Sequence, residues 1–211
     1  MREHDAKGRL IAADVAGLSD FWQWFAGSHA VDQHGRPLLL LHGTPEGAIE
    51  EFFGRESGIY FTDRPDVASG YTYRRSMWLS PSDGAAIYPA YLSLKNPLVI
   101  DARGTRNDNI PVPGLPWKPK VFGRLPQGAV SIRDLMRMAL ERGHDGLIVR
   151  NVVDTASMNW RDKSNVYAVA ESAQIRSAIA GGTVFAARPA DVVRANQAQQ
   201  ECADEHDTPR G

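Results

Sequence analysis

The chain has 211 residues, 24 of them lysine or arginine and 25 aspartate or glutamate, for a net charge of −1. Near-neutrality excludes the basic surface on which dedicated nucleic-acid binders rely. A hydrophobic fraction of 43% beside 23% charged residues is the balance of one globular domain with a real core. Cys202 is the sole cysteine, which excludes an intramolecular disulfide framework and a cysteine metal site, and no two histidines have the His-x-x-x-His spacing. No metal is expected.

In chain order, Met1 to Leu10 is charged and lacks the apolar stretch of a signal peptide. No apolar run approaches the roughly 18 residues of a membrane span. The expectation is a cytoplasmic protein, with export by a route that leaves no N-terminal signature still open. Residues 1–18 read as a flexible lead-in. Ser19-Asp20 is a helix start before the aromatic cluster Phe21 to Phe25, and Gly27 ends that helix. After the turn Asp32 to Pro37, the apolar run Leu38 to Leu41 predicts a buried strand, with His42-Gly43-Thr44 at its end where strand meets loop. Gly58 to Thr62 is a second strand. Asp63 then suits a helix N-cap and Pro65 a first turn, with the helix running from Asp66 to Tyr71.

Strands follow over Ile87 to Leu94 and Pro97 to Ile100. The proline-rich stretch from Thr105 to Gln127 predicts an irregular excursion. Ser131 opens an amphipathic helix that Gly143 closes. Gly146 to Val149 and Val166 to Val169 are strands on either side of an exposed loop, and Gln174 to Ala178 is a last turn or short strand. Residues 19–187 thus form the domain, and 188–211 a polar tail. Short strands with few helices predict an α+β fold with a split antiparallel or mixed sheet. Neither the Gly-x-Gly-x-x-Gly nor the P-loop pattern occurs.

Three segments carry chemistry together: Leu40-Leu41-His42-Gly43-Thr44, Gly58-Ile59-Tyr60-Phe61-Thr62-Asp63, and Ala68-Ser69-Gly70-Tyr71. Each has an ordinary reading alone, His42 and Tyr60 as structural strand residues and Tyr71 as a helix-end aromatic. In this order they resemble the ADP-ribosyltransferases of the diphtheria-toxin and poly(ADP-ribose) polymerase type. A closer resemblance, to the ADP-ribosyltransferase domain of phage polyvalent proteins, runs from about Asp20 to about Phe185. It is carried by Phe25 to Ser28, Val31-Asp32 with Gly35 to Leu38, Tyr91 to Leu98, His144 to Ile148, and Val166 to Val169 with Gln174 to Ala178.

The resemblance implies an ADP-ribosyltransferase-like fold with NAD as substrate and no metal. It gives His42 an adenosine ribose hydroxyl and lets Tyr60 and Tyr71 sandwich the nicotinamide ring. Gly43 leaves room for the nicotinamide amide to approach the backbone, and Thr44 adds a hydroxyl. Ser69 lies one position beyond the nicotinamide-binding serine of the polymerases, which here is Ala68. Where the polymerases place a catalytic glutamate, this chain has Val166. Polymer synthesis is therefore not expected, and Asn165 is the nearest polar substitute, followed by Asp162. Glu171 falls on the opposite strand face, and Asp154 is a more distant acid.

The expected activity is transfer of one ADP-ribose from NAD to a macromolecular acceptor, most readily a host protein, by a phage or bacterial effector or toxin. NAD hydrolysis and a catalytically weak NAD- or ADP-ribose-binding module are the alternatives. The loops that would choose the acceptor contain Arg74-Arg75, Trp78, Trp117 and Lys118-Pro-Lys120, and show no readable code.

Overall fold

The computed structural model describes residues 1–45, 47, 49, 52, 57–73, 84–114, 129–154, 156 and 162–179. The expectations placed on Arg74-Arg75, Trp78, Trp117, Lys118, Lys120 and the tail 188–211 lie outside them.

The first helix, α1, spans Val15–Phe25 and so begins before the Ser19-Asp20 signal. Asp14 is its N-cap, accepting from the Gly17 amide at 2.7 Å, which satisfies one of the amides a helix start leaves open. Phe21 and Phe25 lie one turn apart and stack on each other, and Phe21 meets Tyr91 edge-on. The residues before α1 are packed on the body rather than loose. Ile11 is buried in the same cluster, and Asp5 is fully buried with its carboxylate accepting from the Tyr91 hydroxyl at 2.9 Å.

The sheet has strands β1 (Leu40–Thr44), β2 (Ile59–Thr62), β3 (Ala86–Leu92), β4 (Pro97–Asp101), β7 (Gly146–Val152), β8 (Ser164–Val169) and β9 (Ile175–Ser177). Their spatial order is β4-β7-β8-β2-β1-β3-β9. Only β4 and β7 run parallel, so the sheet is mixed, as the sequence implied. Two short strands form a separate ribbon, β5 (Ile110–Pro111) inside the stretch expected to be irregular and β6 (Ala129–Val130) just after it.

Side chains alternate across the sheet. Phe61, Tyr167 and Val169 point to one face with Leu40, Tyr88 and Ile148. Val166 and Ala168 point to the other, where the helix α3 (Ile132–Glu141) covers them with Leu135 and Met136. Ser131 caps α3 by accepting from the Asp134 amide. Gly143 follows in the left-handed region at φ 79° and turns the chain into β7.

The middle of the sheet is its weakest seam. β1 shares five register pairs with β3, and β2 shares four with β8. Between β1 and β2 there is a single pair, Leu41 with Thr62. This single pair joins the two halves of the sheet, consistent with the split or mixed sheet that the fold class implies.

Candidate active site

His42 lies inside β1, two residues earlier than its end, opposite Tyr88 of β3. Pairing with β3 extends the strand through Gly43 and Thr44, which the short apolar run Leu38 to Leu41 did not reveal. The His42 ring stands where the β1–β2 ladder would continue, and its Nδ1 donates to the Tyr60 carbonyl at 2.7 Å. Phe52 and Phe61 flank it at ring-centroid distances of 5.1 and 5.5 Å. Burial lowers the His42 pKa, only partly opposed by that carbonyl bond. A neutral ring protonated at Nδ1 leaves Nε2 as an acceptor.

A cavity of about 330 Å³ opens beside this seam. Its lining includes His42 and Gly43 from β1, Tyr60 from β2 and Val166 from β8. The helix α2 (Pro65–Gly70) and the residue after it contribute Ala68 and Tyr71. The size and mixed lining are those of small-ligand sites.

Gly43 is what lets α2 close over β1. A Cβ there would stand 1.8 Å from the Ala68 carbonyl oxygen. The space a side chain would take is thus filled by α2, so the room expected for a ligand amide on that side is already occupied by the helix. Gly43 reaches the cavity through its backbone. At the other end of α2, a Cβ on Gly70 would stand 2.0 Å from the Ala156 carbonyl oxygen. These two close approaches fix the short helix, and with it Tyr71. Pro65 opens α2 as expected, but Arg64 rather than Asp63 is the N-cap.

Tyr71 is 43% exposed, yet its hydroxyl turns inward and donates to Asp154 at 2.8 Å. Burial, then the charge of Asp154, raises its pKa. The Tyr60 hydroxyl is buried in the cavity with no hydrogen-bond partner among the described residues. Burial pushes its pKa up to about 12. An unmet buried hydroxyl costs about 1–3 kcal/mol, and a ligand group in the cavity would relieve that cost.

The other residues singled out in the sequence fall elsewhere. Asn165 is one residue from Val166 and so points to the opposite face. It is held by Asp63, whose carboxylate accepts from its amide at 3.0 Å and from its Nδ2 at 2.6 Å. Asn165 therefore does not replace the glutamate, and Asp63 is spent on this bond rather than on capping α2. Asp162 pairs with Arg64 at 2.9 Å. Glu171 caps the 3₁₀ turn Ser172–Gln174. Ser69 and Thr44 are not among the residues lining the cavity. The Ser69 carbonyl accepts from Thr72, and buried Thr44 pairs with Ala86.

Three residues the motifs did not single out as cavity-lining enter it: Asp154, Asn107 and Arg133. Asn107 also bonds the Tyr71 hydroxyl. Arg133, exposed in the first turn of α3, brings a positive charge near Tyr60. Asp154 is the more distant acid of the sequence, whereas nothing in the local sequence marks Asn107 or Arg133, because each arrives from a distant loop or helix start.

Residues 32–185 match the family described as ADP-ribosyltransferase in polyvalent proteins. The chain belongs to that family. The match spans β1 to β9, including the seam and every cavity residue named above. It makes ADP-ribosyltransferase chemistry, with NAD as substrate, the general activity of this fold. No curated protein matches the chain. Among the described residues there is no cluster that could hold a metal, and no helix is long and apolar enough to cross a membrane.

Proposed function

We propose that this chain transfers a single ADP-ribose from NAD to a macromolecular acceptor, using the cavity at the β1–β2 seam. The observation that carries the reading is the convergence of His42, Tyr60 and Tyr71 on one cavity from three separate elements. The acceptor face of His42 suits a ribose hydroxyl. Tyr60 and Tyr71 offer aromatic walls to the nicotinamide ring, each contact worth about 0.5–1.5 kcal/mol beyond its buried area. Arg133 at the rim suits the diphosphate. Holding NAD in this way exposes the bond between ribose and nicotinamide to a nucleophile and removes orientational freedom from the step.

Val166 supports single transfer rather than chain elongation, since the resemblance ties elongation to a glutamate there. The reading extends to a protein that acts in the cytoplasm of a bacterial host, on a host protein. Bacterial lysate incubated with NAD labelled in the adenylate moiety is expected to yield labelled macromolecules. Nicotinamide release without label would make water the acceptor. Neither label nor nicotinamide would overturn the transferase reading and leave a binding module.

A further inference from the structure

The cavity has an apolar residue, Val166, where the resembling enzymes place a carboxylate, yet it is not without an acid. Asp154 follows the end of β7 and is 4% exposed. Three features bring it inward. The β7–β8 register shifts between Val149 and Val152, a bulge of the kind that re-aims side chains. Asn151 in that bulge takes a left-handed φ of 55°. Val153 then pairs with Arg106, and its carbonyl accepts from the Asn107 amide. The Gly70–Ala156 approach completes the placement by setting the chain after Asp154 against the end of α2.

Among the described residues, the carboxylate's hydrogen bonds fall on Oδ1, from the Tyr71 hydroxyl at 2.8 Å and the Ala156 amide at 2.9 Å. Oδ2 takes neither. The other acids near the seam are committed, Asp63 to Asn165 and Asp162 to Arg64. Asp154 is also the only carboxylate among the described residues lining the cavity.

We propose that Asp154 is the catalytic carboxylate of this site, its Oδ2 accepting from a hydroxyl of the ribose that bears nicotinamide. This rests on the NAD reading above. As the bond from the ribose C1′ to the nicotinamide nitrogen breaks, its electron pair leaves with nicotinamide and positive charge develops on the ribose. The acceptor's nucleophile forms the new bond to C1′ and releases its proton to solvent. Asp154 stays ionised throughout and stabilises the cation by its charge, in a setting where water does not screen it. Burial is the larger influence and raises its pKa, and the two donors on Oδ1, which favour the charged form, oppose it only in part. Tyr71 thereby has two tasks, walling the ring and fixing the acid.

The test compares wild type with Asp154→Asn, whose amide oxygen still accepts from Tyr71 and Ala156. NAD affinity is read by calorimetry and nicotinamide release by its rate at saturating NAD. The expected result is a fall in kcat of about 10²–10³-fold, the scale of removing one preorganised electrostatic group, with Kd unchanged within about threefold on the same principle that the group acts mainly in the transition state. A kcat within threefold of wild type, or a loss confined to affinity, overturns the assignment while leaving the NAD site standing. A wild type that neither binds nor cleaves NAD overturns both. Should Asp154→Asn fail to fold, Asp154→Ala assayed with and without formate decides. Formate-dependent return of nicotinamide release supports the proposal, and a rate indifferent to formate overturns it.

Discussion

Gly43→Ala is expected to lower stability by about 3 kcal/mol, the upper end of what overpacking costs. The added methyl would stand 1.8 Å from the Ala68 carbonyl oxygen and 2.7 Å from its carbonyl carbon. These are backbone atoms of α2, so no side-chain rotation relieves the overlap. Either α2 lifts from β1 or β1 shifts against β3, where five register pairs hold it. For a domain of this size the cost corresponds to roughly 6–12 °C in Tm. Because α2 carries Tyr71, the variant should also lose NAD turnover at temperatures where it remains folded. A thermal melt followed by circular dichroism checks this, with Gly17→Ala as the control. There the added methyl meets only side-chain atoms, the Asp14 carboxylate at 3.3 Å and the Ala12 Cβ at 3.5 Å. A Gly43→Ala protein melting within two degrees of wild type, taken as roughly half a kcal/mol, would mean that α2 does not sit on β1 as described.

Tyr71→Ala is expected to reduce kcat/KM for NAD cleavage roughly 30- to 100-fold, from lost ring burial and stacking. It also strips Asp154 of one of its two donors. Tyr71→Phe separates the contributions, because it keeps the ring and removes only the hydroxyl. It should cost roughly three- to tenfold, the net value of one hydrogen bond. Steady-state nicotinamide release measures both. Equal losses in the two variants would show that the hydroxyl, not the ring, is what the site uses, and unchanged rates in both would remove Tyr71 from the site.

Much of this arrangement was legible in the sequence because it is local. The His42-Gly43-Thr44 step, the Tyr60 strand and the Pro65 helix start each have short-range signatures, and their order gave both the fold class and the cavity's main walls. Length and capping were read less well. Strand β1 runs through His42 because β3 pairs with it, a tertiary effect that a four-residue apolar run does not encode. Asp63 has the chemistry of an N-cap, but a residue 102 positions away takes its carboxylate. The same non-local bond holds Asn165 away from the cavity that its neighbour Val166 lines.

Asp154 shows the limit most plainly. Its route into the cavity depends on a β7 bulge, the Arg106–Val153 bridge and the missing side chain of Gly70. None of these is visible from the residues around Asp154. The resemblance gives Gly43 the task of admitting a nicotinamide amide, whereas the backbone that approaches it here is that of α2.

The central claim is that NAD occupies the cavity at the β1–β2 seam. Its most direct test is a titration of NAD into ¹⁵N-labelled protein, following backbone amides. The largest shifts are expected at Gly43, Tyr60, Tyr71, Asp154 and Val166, with little change at the α1 cluster around Phe21 on the far side of Tyr91. Shifts concentrated away from the seam, or none at saturating nucleotide, would contradict it.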